Sequence, residues 1–286
     1  MKQSCNYTFI AILFCLATAL FSCEKTTTPL TSDELLLSKR YNQVCCVMTH
    51  NAMNNSEKGF TFPNQTHSIT NQLKNGVRGL MIDTYDGSNG VALTYHGTPI
   101  VGQQKLVDVL QEIKDFLLEN PKAVISIIFE NNGSNIQLQK AIDSIGLDMF
   151  TFTYTGTWPT LQTMTDSNQR LVLFAESDKL PKIPYLMHAW STVFDTKYSY
   201  KELSEFDCAV NRGGSGTREL YLINHWLGNA LGLPDKSLAP KANARGVIGK
   251  RVQECSAANS HFVNFLGVDF YEIGDAKAVV DSINGL

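Results

Sequence analysis

Short apolar runs recur along this chain, and most end on a residue that can carry charge or move a proton. Tyr41–Thr49 leads into His50, Val77–Thr84 holds Asp83 near its end and Val91–His96 ends on His96. Ala123–Phe129 leads into Glu130, Arg170–Ala175 into Glu176 and Glu219–Asn224 into His225, while Phe262–Phe270 holds Asp269 near its end. Such runs read as strands with functional groups at their C-terminal ends. Helical patterns separate most of them, and that alternation implies a parallel sheet with helical crossovers. An open doubly wound sheet gathers its site at one crevice. A (β/α) barrel gathers it around a rim from many strands. Polar ends spread over the whole chain favour the barrel. The less regular Pro181–Gly216 implies a distorted one.

The helices have their own signals. Thr31-Ser32-Asp33-Glu34 is a capping box before Leu35-Leu36-Leu37. Thr66–Asn75 reads as a helix stopped by Gly76. In Gln104–Asn120 the residues Leu106, Val109, Leu110, Ile113, Phe116 and Leu117 share one face, and Pro121 ends the helix. Asn135–Ile145, Asn243–Ala258 and Asp275–Ile283 complete the set. The polar segment Asn54–Gln65 is a loop, and Asp86–Gly90 is a turn. Ala123–Phe129 is almost continuously apolar, as a strand covered on both faces must be.

With 286 residues the chain is long enough to bury a full core in one large domain. Its net charge of −3, without a basic run or basic helix face, argues against nucleic-acid binding. Residues 1–22 read as a leader: Lys2, then an apolar run from Phe9 to Leu20 too short to span a membrane. Leu20-Phe21-Ser22-Cys23 resembles a bacterial lipoprotein cleavage box. That likeness implies cleavage before Cys23 and a lipid on its sulfur; an ordinary signal peptide cut nearby is the alternative. On the lipoprotein reading, residues 23–37 are a lipidated tether and short helix. Residues 38–286 are the barrel, held outside the cytoplasm on a bacterial membrane or cell surface. Cys45 and Cys46, adjacent in a strand, should face opposite ways. Export permits a Cys208–Cys255 disulfide, and two buried reduced thiols are the alternative.

Thr49-His50-Asn51-Ala52, Asn75–Asp86 and Tyr95-His96 resemble the X region of phosphatidylinositol-specific phospholipase C. Ile127-Ile128-Phe129-Glu130 and Gly267-Val268-Asp269-Phe270-Tyr271 extend the likeness, which spans roughly residue 40 to the end. The closest similarity is to the X-domain-only phosphodiesterases. The resemblance implies an α/β distorted TIM barrel that cleaves the glycerol–inositol phosphodiester through a cyclic inositol phosphate. It implies His50 as the base, His96 as the acid and Asp269 as the carboxylate that holds His50. Histidine suits both duties, because it titrates near neutrality.

Members of that family that depend on calcium carry an Asp at position 83, an Asn after the first histidine and a Glu near Glu130. Asn51, Asp83 and Glu130 therefore read as hard oxygen ligands for Ca2+. Met81 departs from the pattern, which usually has a second carboxylate there, and implies weaker binding. Arg78 should alternate away from Asp83 along the strand. Glu176, His225 and Arg212 are candidate substrate contacts. For His225 the competing reading is packing beside Trp226, and for Arg212 it is simple solvation in a Gly-rich loop. The expected partner is an inositol phospholipid in a membrane. The alternatives are a phosphodiesterase of another glycerophosphodiester and a lipid-binding lipoprotein without catalysis.

Overall fold

The computed structural model describes residues 30–214 and 218–286. The leader and the Cys23 lipidation expected from sequence lie outside the described residues. Thr31–Leu286 forms one compact unit. In chain order the strands are β1 (Cys46–Thr49), β2 (Gly79–Asp86), β3 (Ala92–Thr94), β4 (Gln104–Lys105) and β5 (Ile125–Asn131). There follow β6 (Leu171–Ala175), β7 (Leu186–His188), β8 (Val193–Asp195), β9 (Leu220–Asn224) and β10 (Phe265–Val268). The helices are α1 (Ser32–Ser38), α2 (Ile69–Lys74), α3 (Leu106–Glu119), α4 (Asn135–Ser144) and α5 (Leu161–Asp166). The short α6 (Ala189–Thr192) and α7 (Ala239–Ala242) precede α8 (Arg245–Asn259) and α9 (Ala276–Asn284).

Eight parallel strands curl in the order β7-β6-β5-β2-β1-β10-β9-β8. The end strands β7 and β8 do not pair with each other, so the barrel has an open seam. That seam falls inside the irregular Pro181–Gly216 stretch and is the distortion the sequence implied. One expectation needs correcting. Val91–His96 is not a barrel strand: β3 pairs antiparallel with β2 and β4, forming a small ribbon beside the barrel. Only residues 87–91 join β2 to β3. That is too short for a crossover helix, so the chain returns antiparallel.

Strand alternation sorts the core into two layers. Val47, Leu80, Ile82, Ile127, Phe129, Leu173, Ile223 and Leu266 face the helices. Met48, Ile128, Val172, Phe174, Leu222 and Phe265 fill the lumen. All six apolar residues expected on one face of α3 are buried there. Cys45 joins the outer layer and Cys46 borders the lumen layer, as adjacent strand residues must. The structure also joins Cys208 to Cys255 in a disulfide. Among the described residues, no helix is long and apolar enough to cross a membrane.

Candidate active site

Lumen-facing parity carries the functional groups to the rim. Met48 faces the lumen, so His50 does too. The same step of two takes Ile128 to Glu130, Phe174 to Glu176, Val193 to Asp195 and Gly267 to Asp269. On β2 it takes Met81 to Asp83. Arg78 has the opposite parity and lies over the Phe116 ring outside the barrel, its guanidinium carbon 5.0 Å from the ring centre.

His50 Nδ1 lies 2.8 Å from Asp269 Oδ1, and Asn64 Nδ2 donates to both oxygens of that carboxylate at 3.1 Å. Asn64 is in turn fixed by Asn51 and Asn54, whose amides donate to its Oδ1 at 3.2 and 2.7 Å. The bond to Asp269 at Nδ1 orients the ring and leaves Nε2 as the nitrogen available to a ligand. The imidazole stacks on Trp226 with ring centres 3.8 Å apart and planes 8° from parallel. Both strand ends turn sharply here. Asn51 follows His50 with φ 44°, and Phe270 follows Asp269 with φ 47°. A phenylalanine in the left-handed region is strained. Phe270 N donates to Asn64 O at 2.9 Å and Asn243 Nδ2 donates to Phe270 O at 3.3 Å, which holds the turn in place.

His96 comes from the turn after the ribbon. Its Nδ1 donates to Asp83 Oδ2 at 3.0 Å. That bond, opposed by burial and helped by the nearby charges of Asp83, Glu130 and Asp269, raises the His96 pKa above its ordinary value. The two imidazole centres are 6.3 Å apart with planes inclined 72°. A cleft of about 70 Å³ lies between them, lined by His50, Asn64, His96, Tyr198, Trp226 and Asp269 among others. Two histidines, each held by an aspartate and facing one cleft, can take a proton on one side of a bound phosphoryl group and return one on the other.

Arg212 is not free: two carboxylates hold it, and 28% of its side chain stays exposed. Its Nη1 donates to Glu176 Oε1 and Oε2 at 3.0 and 3.1 Å, and its Nε donates to Asp195 Oδ2 at 2.9 Å. The guanidinium lies 3.9 Å from the Trp190 ring centre and 4.7 Å from that of Tyr198. Gly213 behind it has φ 84°, and a Cβ there would sit 2.3 Å from Val193 O. Burial pushes Glu176 up to about 7; Arg212 opposes this, and Glu130, Asp195 and Asp83 add to it.

His225 needs correcting as a substrate contact. The period of two that sends Asn224 and Trp226 inward sends His225 outward. It is fully buried beneath α7 and α8, with Nε2 2.8 Å from Ala242 O and Nδ1 3.3 Å from Arg251 Nη1. Burial first, then the Arg251 charge, pulls its pKa down to about 3, so it stays neutral.

No group of three His, Cys, Asp or Glu side chains among the described residues is arranged to hold a metal. The candidate calcium set mixes two carboxylates with an amide. Asp83 and Glu130 are register partners on β2 and β5; burial first, then both of their charges, raises the Tyr85 pKa. Two neighbouring carboxylates and an amide oxygen are hard donors, the kind of ligand a calcium ion takes. Met81, on the lumen face two residues before Asp83, brings no third carboxylate.

Sequence reasoning missed Asn64, Asp195 and Trp226, and also the rim itself. Phe62, Ile100 and Leu231 are 53%, 91% and 82% exposed. Phe62 and Ile100 lie on adjoining loops tied by Thr61 N donating to Val101 O at 2.7 Å. Leu231 neighbours Gly232, which lines the cleft. Large apolar residues in polar, Gly/Pro-containing loops were the available signal.

The sequence pattern of the PI-PLC X domain matches residues 36–284. A PI-PLC X domain-containing protein of Arthroderma benhamiae is 30% identical over 271 residues, 87% of each chain. A PI-PLC X domain-containing protein of Arabidopsis thaliana is 27% identical over 86% of this chain and 62% of its own length. An uncharacterized secreted protein of Arthroderma benhamiae is 24% identical over 85% of this chain and 60% of its own. This chain therefore spans less than two thirds of the latter two. Among solved structures, phosphatidylinositol-specific phospholipase C from Listeria monocytogenes has a TM-score of 0.61 at 18% identity, covering 90% of this chain and 99% of its own. A mutant of the Staphylococcus aureus enzyme has a TM-score of 0.59 at 14% identity, covering 88% and 96%. At those identities the likeness speaks for the fold.

Proposed function

This chain belongs to the PI-PLC X family, and on that footing we propose that it is a phosphodiesterase of the phospholipase C type acting on phosphatidylinositol or a related inositol lipid. The observation that carries this reading is the facing pair, His50 on Asp269 and His96 on Asp83, with ring centres 6.3 Å apart.

His50 Nε2 takes the proton from the inositol hydroxyl beside the phosphodiester, and that oxygen attacks phosphorus. The phosphorus–glycerol oxygen bond breaks, and His96 donates its proton to the departing oxygen. Diacylglycerol leaves and an inositol cyclic phosphate stays. His96, now neutral, can take a proton from water, and His50, now charged, can return one to the ring-opened oxygen. Asp269 stabilises the His50 imidazolium, and the indole face of Trp226 adds to this by cation–π attraction. Arg212, fixed by Glu176 and Asp195, contacts the polar head group. Asn51, Asp83 and Glu130 would hold calcium, which when bound offsets the phosphate's negative charge. The apolar rim tips suit a substrate presented in a lipid surface, and a lipid on Cys23 would keep the barrel near that surface.

Turnover of phosphatidylinositol, with calcium and with chelator, tests the reading. His50→Ala and His96→Ala should each lower the rate about 10²–10⁴-fold, with a cyclic inositol phosphate as first product. Turnover indifferent to both substitutions would refute it. Turnover indifferent to chelator would remove calcium alone.

A further inference from the structure

A second cavity, of about 590 Å³, opens at the end of the barrel opposite the histidines. It lies where β1, β2, β5 and β10 begin, beneath α1 and beside α9. Leu36, Leu37, Tyr41, Val44, Val124 and Phe265 give it an apolar wall. Its volume falls within the usual range of roughly 300–1,000 Å³ for small-molecule sites. None of the groups that face the histidine cleft lies at this face, so a ligand held here would be apart from the reaction.

The lining polar groups narrow the chemistry. Tyr41 Oη and Ser126 Oγ satisfy each other at 2.6 Å. The Asn284 side chain is used up on the Cys45 backbone, accepting from N at 2.9 Å and donating to O at 2.8 Å. Asp33, Glu119 and Lys122 are exposed at the mouth, and Lys277 is taken by Asp281 at 2.5 Å. Arg78 differs. It is half-buried, and its Nη1 donates only to the carbonyls of Leu73 and Val77, at 2.9 and 2.7 Å. No carboxylate among the described residues pairs with it. Burial disfavours its charge, a cost that an anion beside it would offset. A cavity with an apolar wall and a half-buried guanidinium that has no carboxylate partner among the described residues matches a chain with an anionic head.

We propose that this cavity binds a long-chain fatty acid, with the alkyl chain against the apolar wall and the carboxylate on Arg78. The site is separate from the catalytic cleft and does not rest on the phosphodiesterase reading.

The test uses the full chain stripped of lipid and titrated with cis-parinaric acid, a fluorescent fatty acid, beside the corresponding alcohol. Binding of the acid should saturate and be displaced by palmitate. Val44→Trp, which fills the cavity, should abolish it. Arg78→Met should weaken the acid about tenfold or more, the worth of a charge-assisted hydrogen bond, and leave the alcohol unchanged. Phosphatidylinositol turnover should stay at the parent level in both variants, so either reading can fail without the other. Binding that never saturates, or that survives Val44→Trp, overturns the proposal. Acid and alcohol responding alike to Arg78→Met overturns the carboxylate's place on Arg78. If Arg78→Met does not fold, palmitate against hexadecanol as competitors on the parent protein decides the same point.

Discussion

His96 gives its Nδ1 proton to Asp83, and that bond sets the pH at which the ring loses its charge. The bond to Asp83 is the largest cause of the raised pKa, against burial, which lowers it. A group raised on folding stabilises the fold fully below its unfolded value of about 6.5. That contribution is lost as pH rises through the folded value. In Asp83→Asn the prop is gone and burial is left, so the His96 titration should move to lower pH. Following the imidazole carbon-bound proton by NMR in both proteins reads this directly, without depending on turnover. An unmoved titration would show that Asp83 does not tune the ring. His50 and His96 were legible in sequence because each lies within a continuous motif. His225 was misplaced because its position at a strand end was weighed and its parity was not. Leu222, lumen-facing, is three residues away, which puts His225 on the other face.

At the scale of elements, long and strongly patterned segments were readable and short ones were not. The helix over Gln104–Asn120 and the strand over Ala123–Phe129 appear almost as expected, as α3 and β5. β7 and β8 have three residues each, around a single turn of helix. That is too little sequence to show a period. Yet β8 supplies Asp195, which anchors Arg212. The same irregular region is tied to α8 by the Cys208–Cys255 disulfide across a separation of 47 residues. Loop closure of that length is worth about 3–4 kcal/mol. Replacing both cysteines by Ala should lower the free energy of unfolding by that order in urea titration, and adding reductant to the parent should mimic it. A loss well under 1 kcal/mol would mean that α8 is held without the disulfide, by packing and by Arg251, which bonds Asn224 O at 2.8 Å and Tyr200 Oη at 3.0 Å.

The whole molecule has two unlike ends. One rim bears the histidines, a carboxylate cluster and exposed apolar tips; the other bears an apolar-walled cavity with Arg78 half-buried at its side. Sequence placed the first, because polar residues ending apolar runs are easy to see. It was silent on the second, because a cavity is made by what several distant segments leave unfilled. Burying one large apolar side chain contributes about 1.5–3 kcal/mol. Ile100→Ser with Leu231→Ser should therefore weaken binding to phosphatidylinositol-containing vesicles at least tenfold. Hydrolysis of a soluble inositol cyclic phosphate should be unchanged. Equal losses on vesicles and on the soluble compound would place these residues in the reaction and not at the lipid surface. The stack of His50 on Trp226 has a consequence of another kind. The chain holds three tryptophans, and this one lies face to face with the ring assigned to take the proton. A change of charge on that imidazole changes the surroundings of the indole, so the base we propose carries its own optical indicator.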